Sequence, residues 1–466
     1  MAGGTDFGAY DAYIEQNFEA MVEELRHFCS QPTLAGQGVG LEEGVTLVRE
    51  ALEPLGARMK LAPIEGAPPV VLAELGSGAR TLLLYNHYDV QPPEPLELWD
   101  SPPYAGDVRE GRLYARGVAD NRGDLLSRIL AIRAYQATVG GLPLRIRWLV
   151  EGEEEVGSPN LGPVAIEHAD ELRADWCAWE GSWRDINDNP QVICGLKGML
   201  YVELHATGPA YDAHSGLGGI LPNPAWRLVM ALSTLRDAQG NFVMDRLEDL
   251  VERPSQAEVE AIHRMPFDEQ AWLNLYGIKG WQRGKSGHDV LVAEQFEPTA
   301  NIAGFVSGYG GEGSKTIVPS KAMVKMDFRL VPNQTPEKML DLLRAHLDSR
   351  GYNDIEIVKL GELLPAKTPI DSPLVRASEE VWHDLGEERV VIAPMTGGSG
   401  PASLISNELG IPLVITGGVA FSGSRAHAPN ESIRLDQFKQ GIRFWGRFFD
   451  RLAAMDDGRW TMDDGR

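Results

Sequence analysis

Cysteine is scarce in this sequence, and long apolar runs are absent. The three cysteines, Cys29, Cys177 and Cys194, cannot form a disulfide framework, and their spacing fits no thiolate zinc site. No apolar run is long enough to span a bilayer, and the first residues lack the basic and apolar regions of a secretory signal. We therefore expect a soluble, cytoplasmic protein that does not associate with membranes.

Basic residues are also fewer than acidic residues. The chain has 43 Lys and Arg residues against 67 Asp and Glu residues, which gives a net charge of −24 at pH 7. So acidic a protein is a poor partner for nucleic acid. The excess of acidic residues does not by itself indicate a cationic substrate, because acidic surfaces also keep proteins soluble. A chain of 466 residues exceeds the usual size of one domain, so we expect two domains.

What the sequence does contain is a short apolar run that ends in polar residues. Residues 82–85 (LLLY) have the length of a buried strand, and the polar stretch 86–89 (NHYD) follows directly. Ligand sites in open α/β sheets lie at such strand ends. Asp89 can accept the second N–H of His87, which is the usual support of a metal-bound histidine. Taken alone, however, the pair is more typical of an ordinary histidine in a polar loop.

Four further segments place acids or a histidine just past an apolar run or in a glycine-rich turn. They contain Asp120, the acidic run 151–155, Glu180 and His427. Each has a simple alternative, since Asp120 could cap the helix that follows, and acidic runs and loop histidines are usually solvated. Together they favour a site for two divalent cations, because imidazole suits zinc and a carboxylate can bridge two ions.

The apolar patterns predict an α/β protein with an inserted module. Strands are expected at 70–75, 81–85, 144–150, 175–179, 390–393 and 413–415, and helices at 10–30, 43–52, 122–137 and 435–455. The Gly-Ser-Gly turn after residue 75 suggests that the first two strands pair as a hairpin. Between 198 and 362 the order strand, helix, strand, strand, helix, strand indicates an α+β module with an antiparallel sheet. The chain then divides into 1–197, 198–362 and 363–466, with the first and last parts forming one domain.

Six segments, in order, carry a resemblance to a known family: HYDVQP, ARGVADNRG, EGEEEVGS, the segment around Glu180, DAHSG and AHAPNE. They resemble the motifs of the dinuclear zinc metallopeptidase and amidohydrolase family, which includes carnosine-type dipeptidases, glutamate carboxypeptidase, aminoacylase-1, acetylornithine deacetylase and succinyl-diaminopimelate desuccinylase. GGSGP and DFRLVPNQTP are most similar to the carnosinase-type dipeptidase branch. The resemblance implies a zinc-exopeptidase-like catalytic domain with a central mixed sheet flanked by helices. It makes 198–362 an inserted, ferredoxin-like α+β lid and dimerisation domain.

The resemblance implies two zinc ions, with manganese or cobalt as alternatives. Five side chains would bind them: His87, Asp120, Glu155, Glu180 and His427. Asp120 would bridge both ions. His87 and Glu180 would complete the site of one ion, and Glu155 and His427 the site of the other. Asp89 would orient His87.

The acidic run would also supply the general base. By the resemblance, Glu154 would take a proton from the water that bridges the metals, which leaves a hydroxide as the nucleophile, and would pass that proton to the leaving amine. The family pattern has two glutamates, one further residue and then Gly-Ser, so Glu154 and Glu155 are the pair and Glu153 is not part of it. The peptide bond between residues 120 and 121 would be cis.

The inserted domain would complete the site. His214 would reach the active site of the partner subunit in a homodimer and stabilise the oxyanion of the tetrahedral intermediate. Arg329 would hold the C-terminal carboxylate of the substrate, for which a guanidinium is well shaped. Gly397, Gly398 and Ser399 would line the same pocket with backbone donors. The alternative for Arg329 is a surface strand residue in a salt bridge.

The resemblance thus implies a metal-dependent exopeptidase that hydrolyses dipeptides or short peptides with a free C-terminal carboxylate. An N-acyl-amino-acid deacylase stays open, because Glu180 stands where the dipeptidase branch usually has aspartate and deacylases more often have glutamate. A metal-free hydrolase with a pair of carboxylates would leave His87, Asp120 and His427 unused. A non-catalytic binding protein would have lost a ligand or the base, and every matched position keeps a competent residue.

Overall fold

The computed structural model describes residues 5–455, and these form two compact units. The described residues of the first unit are 5–195, 367–394 and 404–455. Those of the second unit are 196–366 and 395–403. The short strands Gly195–Leu196 and Ala366–Lys367 lie where the chain passes from one unit to the other.

One short segment groups differently from the division expected from the sequence. Residues 395–403 belong to the second unit, although the boundaries 198–362 left them out. Met395 packs in a buried cluster with Ile262, Leu291 and Phe296. Its backbone N–H also donates to Gln295 Oε1 at 3.2 Å. Apolar packing and this hydrogen bond hold the segment in the second unit.

A six-stranded mixed sheet organises the first unit. Its strands lie in the order Arg58–Ile64, Ala67–Leu75, Arg145–Glu151, Thr81–His87, Trp176–Ala178 and Leu413–Val414. The first three strands pair antiparallel, and the strands from Arg145–Glu151 onward pair in parallel. The strand Thr81–His87 is buried from its second residue onward, as expected of a central strand that is covered on both faces. The predicted mixed sheet is confirmed.

The predicted hairpin between the first two central strands is wrong. The strand Arg145–Glu151 lies between Ala67–Leu75 and Thr81–His87 and pairs with both. The connecting residues 76–80 are long enough to span the roughly 10 Å of two strand spacings. The strand Arg145–Glu151 carries the fully buried Trp148, and a central position shields such side chains on both faces of the sheet.

Helices flank this sheet and form much of the core of the first unit. Their bounds are Gly8–Cys29, Leu41–Leu52, Gly123–Thr138, Leu161–Glu167, Ala169–Leu172, Pro373–Asp384 and Leu435–Ala453. The helix Gly123–Thr138 is buried on nearly all sides because it contacts both Gly8–Cys29 and Leu435–Ala453. No helix among residues 5–455 is both long and apolar enough to cross a membrane.

Short strands complete the first unit. Ser432–Arg434, Arg112–Tyr114 and Asp107–Arg109 form a separate three-stranded antiparallel sheet in that order. Two further pairs are parallel: Gln191–Ile193 with Val391–Ala393, and Trp183–Arg184 with Ala420–Phe421. These pairings bring distant parts of the chain next to the loops that follow the central strands.

The second unit is built on a four-stranded antiparallel sheet. Its strands lie in the order Thr299–Ser307, Lys321–Leu330, Gly198–Thr207 and Glu356–Leu363. Together with the helices Pro224–Ser233 and Pro336–Ser349, the chain order is strand, helix, strand, strand, helix, strand. This is the ferredoxin-like arrangement that was predicted. Alternate residues of Gly198–Thr207 are buried, and they form one cluster with residues of both helices.

The sequence patterns missed three helices of this unit: Gln256–Arg264, Glu269–Tyr276 and His288–Phe296. A signal for the first was present. Ser255 and Glu258 form a capping box, in which each side chain accepts the backbone N–H of the other residue. A short pair of strands, Ala213–His214 with Ile317–Val318, also belongs to this unit.

Candidate metal centre

Parallel strands bring the first predicted residues to one edge of the central sheet. His87 is the last residue of Thr81–His87, and it lies opposite Glu151 in the neighbouring strand. Glu180 follows Trp176–Ala178, which pairs with the other side of Thr81–His87. The carboxyl ends of parallel strands share an edge, so His87 and Glu180 converge there, with His87 fully buried.

The side chain of Asp120 lies between two histidines. Its Oδ1 is 3.1 Å from His87 Nε2, and its Oδ2 is 3.0 Å from His427 Nε2. Glu180 Oε2 lies 3.3 Å from His87 Nε2, and Glu155 Oε2 lies 3.1 Å from His427 Nε2. The structure thus brings the five predicted ligands together as two groups that share the Asp120 carboxylate.

The chemistry of these donors fits divalent cations. Imidazole nitrogens and carboxylate oxygens are usual ligands of zinc, and ligand atoms of His87, Asp120 and Glu155 all lie within 4.8 Å of one another. Glu180 Oε2 is buried without a hydrogen-bond partner among the described residues, despite its approach to His87. A buried carboxylate oxygen without a partner is costly, and a cation would satisfy it.

Without a cation, hydrogen bonds to neighbouring carboxylates raise the pKa of both histidines and so favour their protonated forms. Hydrogen bonds to Asp120 and Glu155 raise the pKa of His427 to about 10. Burial acts to lower the pKa of His87, but hydrogen bonds to Asp120 and Asp89 outweigh it and raise that pKa well above its usual value. A bound cation would take the place of these protons, so we expect metal binding to release protons.

Asp89 contacts both His87 and the acidic segment. His87 Nδ1, the ring nitrogen that does not face Asp120, lies 3.1 Å from the backbone carbonyl oxygen of Asp89 and 3.3 Å from its Oδ1. The Asp89 carboxylate also accepts the backbone N–H groups of Glu154 and Glu155, at 3.3 Å and 3.0 Å. Asp89 is fully buried, so these contacts are shielded from water. The arrangement suits an orienting role for Asp89, which stays a prediction.

Glu154 and Glu153 have different surroundings. Burial, followed by the charges of Glu180 and Asp120, raises the pKa of Glu154 to about 9. Both carboxylate oxygens of Glu153 instead accept hydrogen bonds from Asn160 Nδ2, at 3.2 Å and 2.9 Å. The Glu153 carboxylate is thus engaged by Asn160, and the role of Glu154 as general base stays a prediction.

The turn after Asp120 makes contacts that sequence reasoning missed. The Asp120–Asn121 peptide bond is cis, as the resemblance implied. Asn121 Oδ1 accepts hydrogen bonds from Asn86 Nδ2 at 2.5 Å and from the His87 N–H at 3.4 Å. Glu431 accepts hydrogen bonds from the loop that carries Asp120. The sequence positions of these residues could have indicated a role at the site, because Asn86 precedes His87 and Glu431 belongs to the AHAPNE motif.

The other predicted residues belong to the second unit. His214 ends the strand Ala213–His214 with its side chain exposed, and its Nδ1 accepts the Gly216 N–H at 3.0 Å. Arg329 Nη1 donates to Ser399 Oγ at 2.8 Å, and Ser399 Oγ donates in turn to the Gly198 carbonyl at 3.1 Å. Arg329 and Ser399 are therefore adjacent. The hydrogen bond described for the His214 side chain is with a backbone N–H group and not with a charged side chain.

The backbone of the glycine pair is partly occupied within the second unit. The Gly397 N–H donates to Glu294 Oε1 at 2.6 Å, and the Gly398 carbonyl accepts the Lys197 N–H at 2.9 Å. Glu294 was not predicted, because it lies on the helix His288–Phe296 that the patterns missed. The Gly397 donor expected to face substrate is thus engaged by a side chain.

Comparison with known proteins defines the class of this enzyme. The model of Peptidase family M20/M25/M40 matches residues 83–451, a range that includes every predicted metal ligand. The chain belongs to this family, and it is a metal-dependent peptidase.

Similarity to individual relatives indicates the branch of the family to which the chain is most similar. The chain is 29% identical over 413 residues to a Cys-Gly metallodipeptidase of Schizosaccharomyces pombe, with 83% of each chain covered. It is 27% identical over 474 residues to Beta-Ala-His dipeptidase of Homo sapiens, with 95% of this chain and 92% of the relative covered. A solved M20 family metallo-carboxypeptidase from Sulfolobus solfataricus is 34% identical with a TM-score of 0.88, covering 93% of this chain and 99% of its own. The predicted similarity to the carnosinase-type branch is confirmed.

The raised pKa of Glu154 predicts that the free energy of unfolding of the metal-free protein depends on pH. Because the folded state keeps a proton that the unfolded state loses above its ordinary pKa of 4.5, the free energy of unfolding should fall as the pH rises from there towards about 9. Glu154→Gln removes this dependence. We expect the metal-free variant to be more stable than wild type at pH 8, by up to about 5 kcal/mol, and equal to it near pH 4.

Urea unfolding in the presence of a chelator, at several pH values, measures this difference. Glu153→Gln is the matched control, because that carboxylate faces Asn160, and it should leave the pH dependence unchanged. A Glu154→Gln variant with the same pH dependence as wild type would contradict the burial of Glu154 among like charges.

Proposed function

We propose that this enzyme binds two divalent cations, zinc in the native protein, and hydrolyses dipeptides or short peptides that end in a free carboxylate. The observation that carries the proposal is the position of the Asp120 carboxylate, with one oxygen facing His87 and the other facing His427. A carboxylate so placed suits the bridging of two ions. Manganese or cobalt would suit the same donors.

The chain's own residues divide the chemical work. His87 and Glu180 would hold one ion, Glu155 and His427 would hold the other, and Asp120 would be shared. The chemistry that bound cations supply is activation of a water molecule near neutral pH and polarisation of the scissile carbonyl. Glu154 accepts the proton of the attacking water and delivers it to the departing amine. Asp89 keeps His87 oriented with Nε2 directed towards its ion.

We assign substrate recognition to residues of the second unit. Arg329 binds the C-terminal carboxylate, because a guanidinium presents a fork of several N–H donors, of which Nη1 donates to Ser399 Oγ and Nε lies 3.7 Å from Asp327 Oδ2. Ser399 and the backbone of Gly398 complete this pocket. His214 stabilises the oxyanion in the active site of the partner subunit of a homodimer, and its exposed side chain supports this role.

The names of the relatives support the substrate class. One is a Cys-Gly metallodipeptidase, another is a Beta-Ala-His dipeptidase, and the solved relative is a metallo-carboxypeptidase. The N-acyl-amino-acid deacylase that Glu180 left open is therefore not favoured. Dimerisation through the inserted domain and a cytoplasmic location remain predictions.

Removal of metal is expected to abolish peptide hydrolysis, because the acids and histidines at the sheet edge act through bound cations. Treatment with a chelator should reduce dipeptide turnover to background. Zinc, manganese or cobalt should restore turnover as the metal content rises to two ions per chain, with both quantities measured in one preparation. Full turnover in protein that contains no metal would contradict the proposal.

Glu154→Gln is expected to retain metal and lose turnover. The amide keeps the size of the side chain but cannot accept the proton, so kcat should fall by about 10²–10⁴-fold. Metal analysis and steady-state kinetics on the same sample measure the two effects. Glu153→Gln again serves as the control and should keep wild-type kcat. Unchanged turnover in Glu154→Gln would refute the assigned base.

Arg329→Met is expected to remove the preference for a free carboxylate. Wild type should hydrolyse dipeptides faster than dipeptide amides, N-acetyl amino acids or N-succinyl amino acids. In the variant, kcat/KM for dipeptides should fall by about 10²–10³-fold, and that for the amides should change little, because only the former lose a charged partner.

Lys325→Met provides the matched control for this panel. Lys325 lies four residues earlier on the same strand, on the same face, and pairs with Glu203 at 3.4 Å. It should leave the ratio of dipeptide to amide hydrolysis unchanged. Equal losses on dipeptides and amides in Arg329→Met would contradict carboxylate binding by Arg329, and faster hydrolysis of the acyl substrates by wild type would favour the deacylase.

A further inference from the structure

One buried carboxylate outside the predicted ligand set binds the loop that carries Asp120. Glu431 is 1% exposed, and its two oxygens share their hydrogen bonds evenly. Oε2 accepts from Arg116 Nη1 at 2.7 Å and from the Gly117 N–H at 2.9 Å. Oε1 accepts from the Ala119 N–H at 2.8 Å and from the Asp120 N–H at 3.2 Å. Both oxygens are engaged within the protein, so Glu431 has no free oxygen to offer a metal.

The same residue belongs to the segment that carries His427. Glu431 follows His427 by four positions, and the next strand, Ser432–Arg434, pairs with the strand that leads into the Asp120 loop. The backbone carbonyl of Glu431 also accepts the Ala115 N–H at 3.1 Å. Through its side chain and its backbone, Glu431 therefore joins the segments of two predicted ligands that are 307 residues apart in sequence.

An ion pair alone does not explain this arrangement. Glu431 and Arg116 form a pair in which both side chains are 1% exposed. Burying two charges costs more than their attraction returns unless further hydrogen bonds satisfy them. Here those further bonds come from the backbone of the loop, and one comes from the N–H of Asp120 itself. The orientation of Asp120 is thus linked directly to Glu431.

We propose that Glu431 is a positioning residue for the metal centre, which sets the placement of Asp120 relative to His427 without binding metal. The inference rests on the proposed function, which makes those two residues ligands. A bridging carboxylate must face two ions at once, so a small rotation of Asp120 weakens one of its bonds. We expect the ion held by His427 to lose more affinity than the other ion when Glu431 is changed. Glu431 contacts the loop of Asp120 and belongs to the segment of His427, and both segments would hold that ion.

Cobalt(II) binding to Glu431→Gln tests the inference. The amide keeps the shape of the side chain, but its NH₂ group cannot accept the two hydrogen bonds that one carboxylate oxygen receives. We expect wild-type far-UV circular dichroism in the metal-free variant, about 10–100-fold weaker binding of one of two cobalt ions, and altered visible absorption of bound cobalt. Titration against a chelating indicator and the cobalt spectrum measure these changes.

Two further variants separate positioning from general stability. Glu431→Asp keeps the charge and all acceptor sites on a shorter side chain, so it should recover part of the affinity and spectrum lost in Glu431→Gln. Asp175→Asn is the matched control, because Asp175 Oδ2 also accepts a backbone N–H, that of Thr81 at 2.7 Å, at the opposite end of the strand that carries His87. It should bind both cobalt ions as wild type does.

Wild-type cobalt affinity and spectrum in Glu431→Gln would overturn the inference while leaving the proposed function intact. Failure of both Glu431 variants to fold would also overturn it, because the residue would then serve stability alone. A wild-type protein that binds fewer than two cobalt ions would contradict the proposed function and this inference together.

Discussion

The Asp120 carboxylate faces two imidazoles at once, and much of the first unit serves to make that contact possible. His87 comes from the end of a central parallel strand, and His427 comes from a loop 307 residues away from Asp120 in sequence. The parallel pairing of the central strands gives these groups a common edge. The hydrogen bonds of Glu431 then hold the Asp120 loop against the segment of His427. Neither local structure nor one strand alone could bring the three side chains together.

The acidic side chains at this edge destabilise the metal-free protein, and a bound cation would remove that destabilisation. Five carboxylates share the site with the two histidines: Asp89, Asp120, Glu154, Glu155 and Glu180. Protonation of both imidazoles would still leave an excess of negative charge, and Glu180 Oε2 has no hydrogen-bond partner among the described residues. Burial and the same repulsion raise the pKa of Glu154 to about 9. The charge that weakens the metal-free fold therefore also links metal binding to stability.

The sequence predicted most of the site because the ligands lie just past apolar strands or within motifs that resemble a known family. His87 and Glu180 were found in this way, and the structure brings them within 3.3 Å of each other. Features that depend on distant parts of the chain were missed. The order of the central strands was not predictable from a short turn, because burial of the strand Arg145–Glu151 decided which strands became neighbours. Glu431 belongs to one of the motifs, but its role was not predictable from the sequence, because its hydrogen bond to Asp120 joins residues that are 311 positions apart. Glu294 was missed because its helix was missed, although Ser255 and Glu258 marked the start of that helical region.

The most direct test of this account is a crystal structure of the zinc-loaded enzyme, with anomalous diffraction recorded on both sides of the zinc absorption edge. We expect two anomalous peaks about 3.5–4 Å apart, one on each side of the Asp120 carboxylate. One peak should contact His87 and Glu180, and the other should contact Glu155 and His427. A single peak, or peaks that do not contact Asp120, would contradict the central claim.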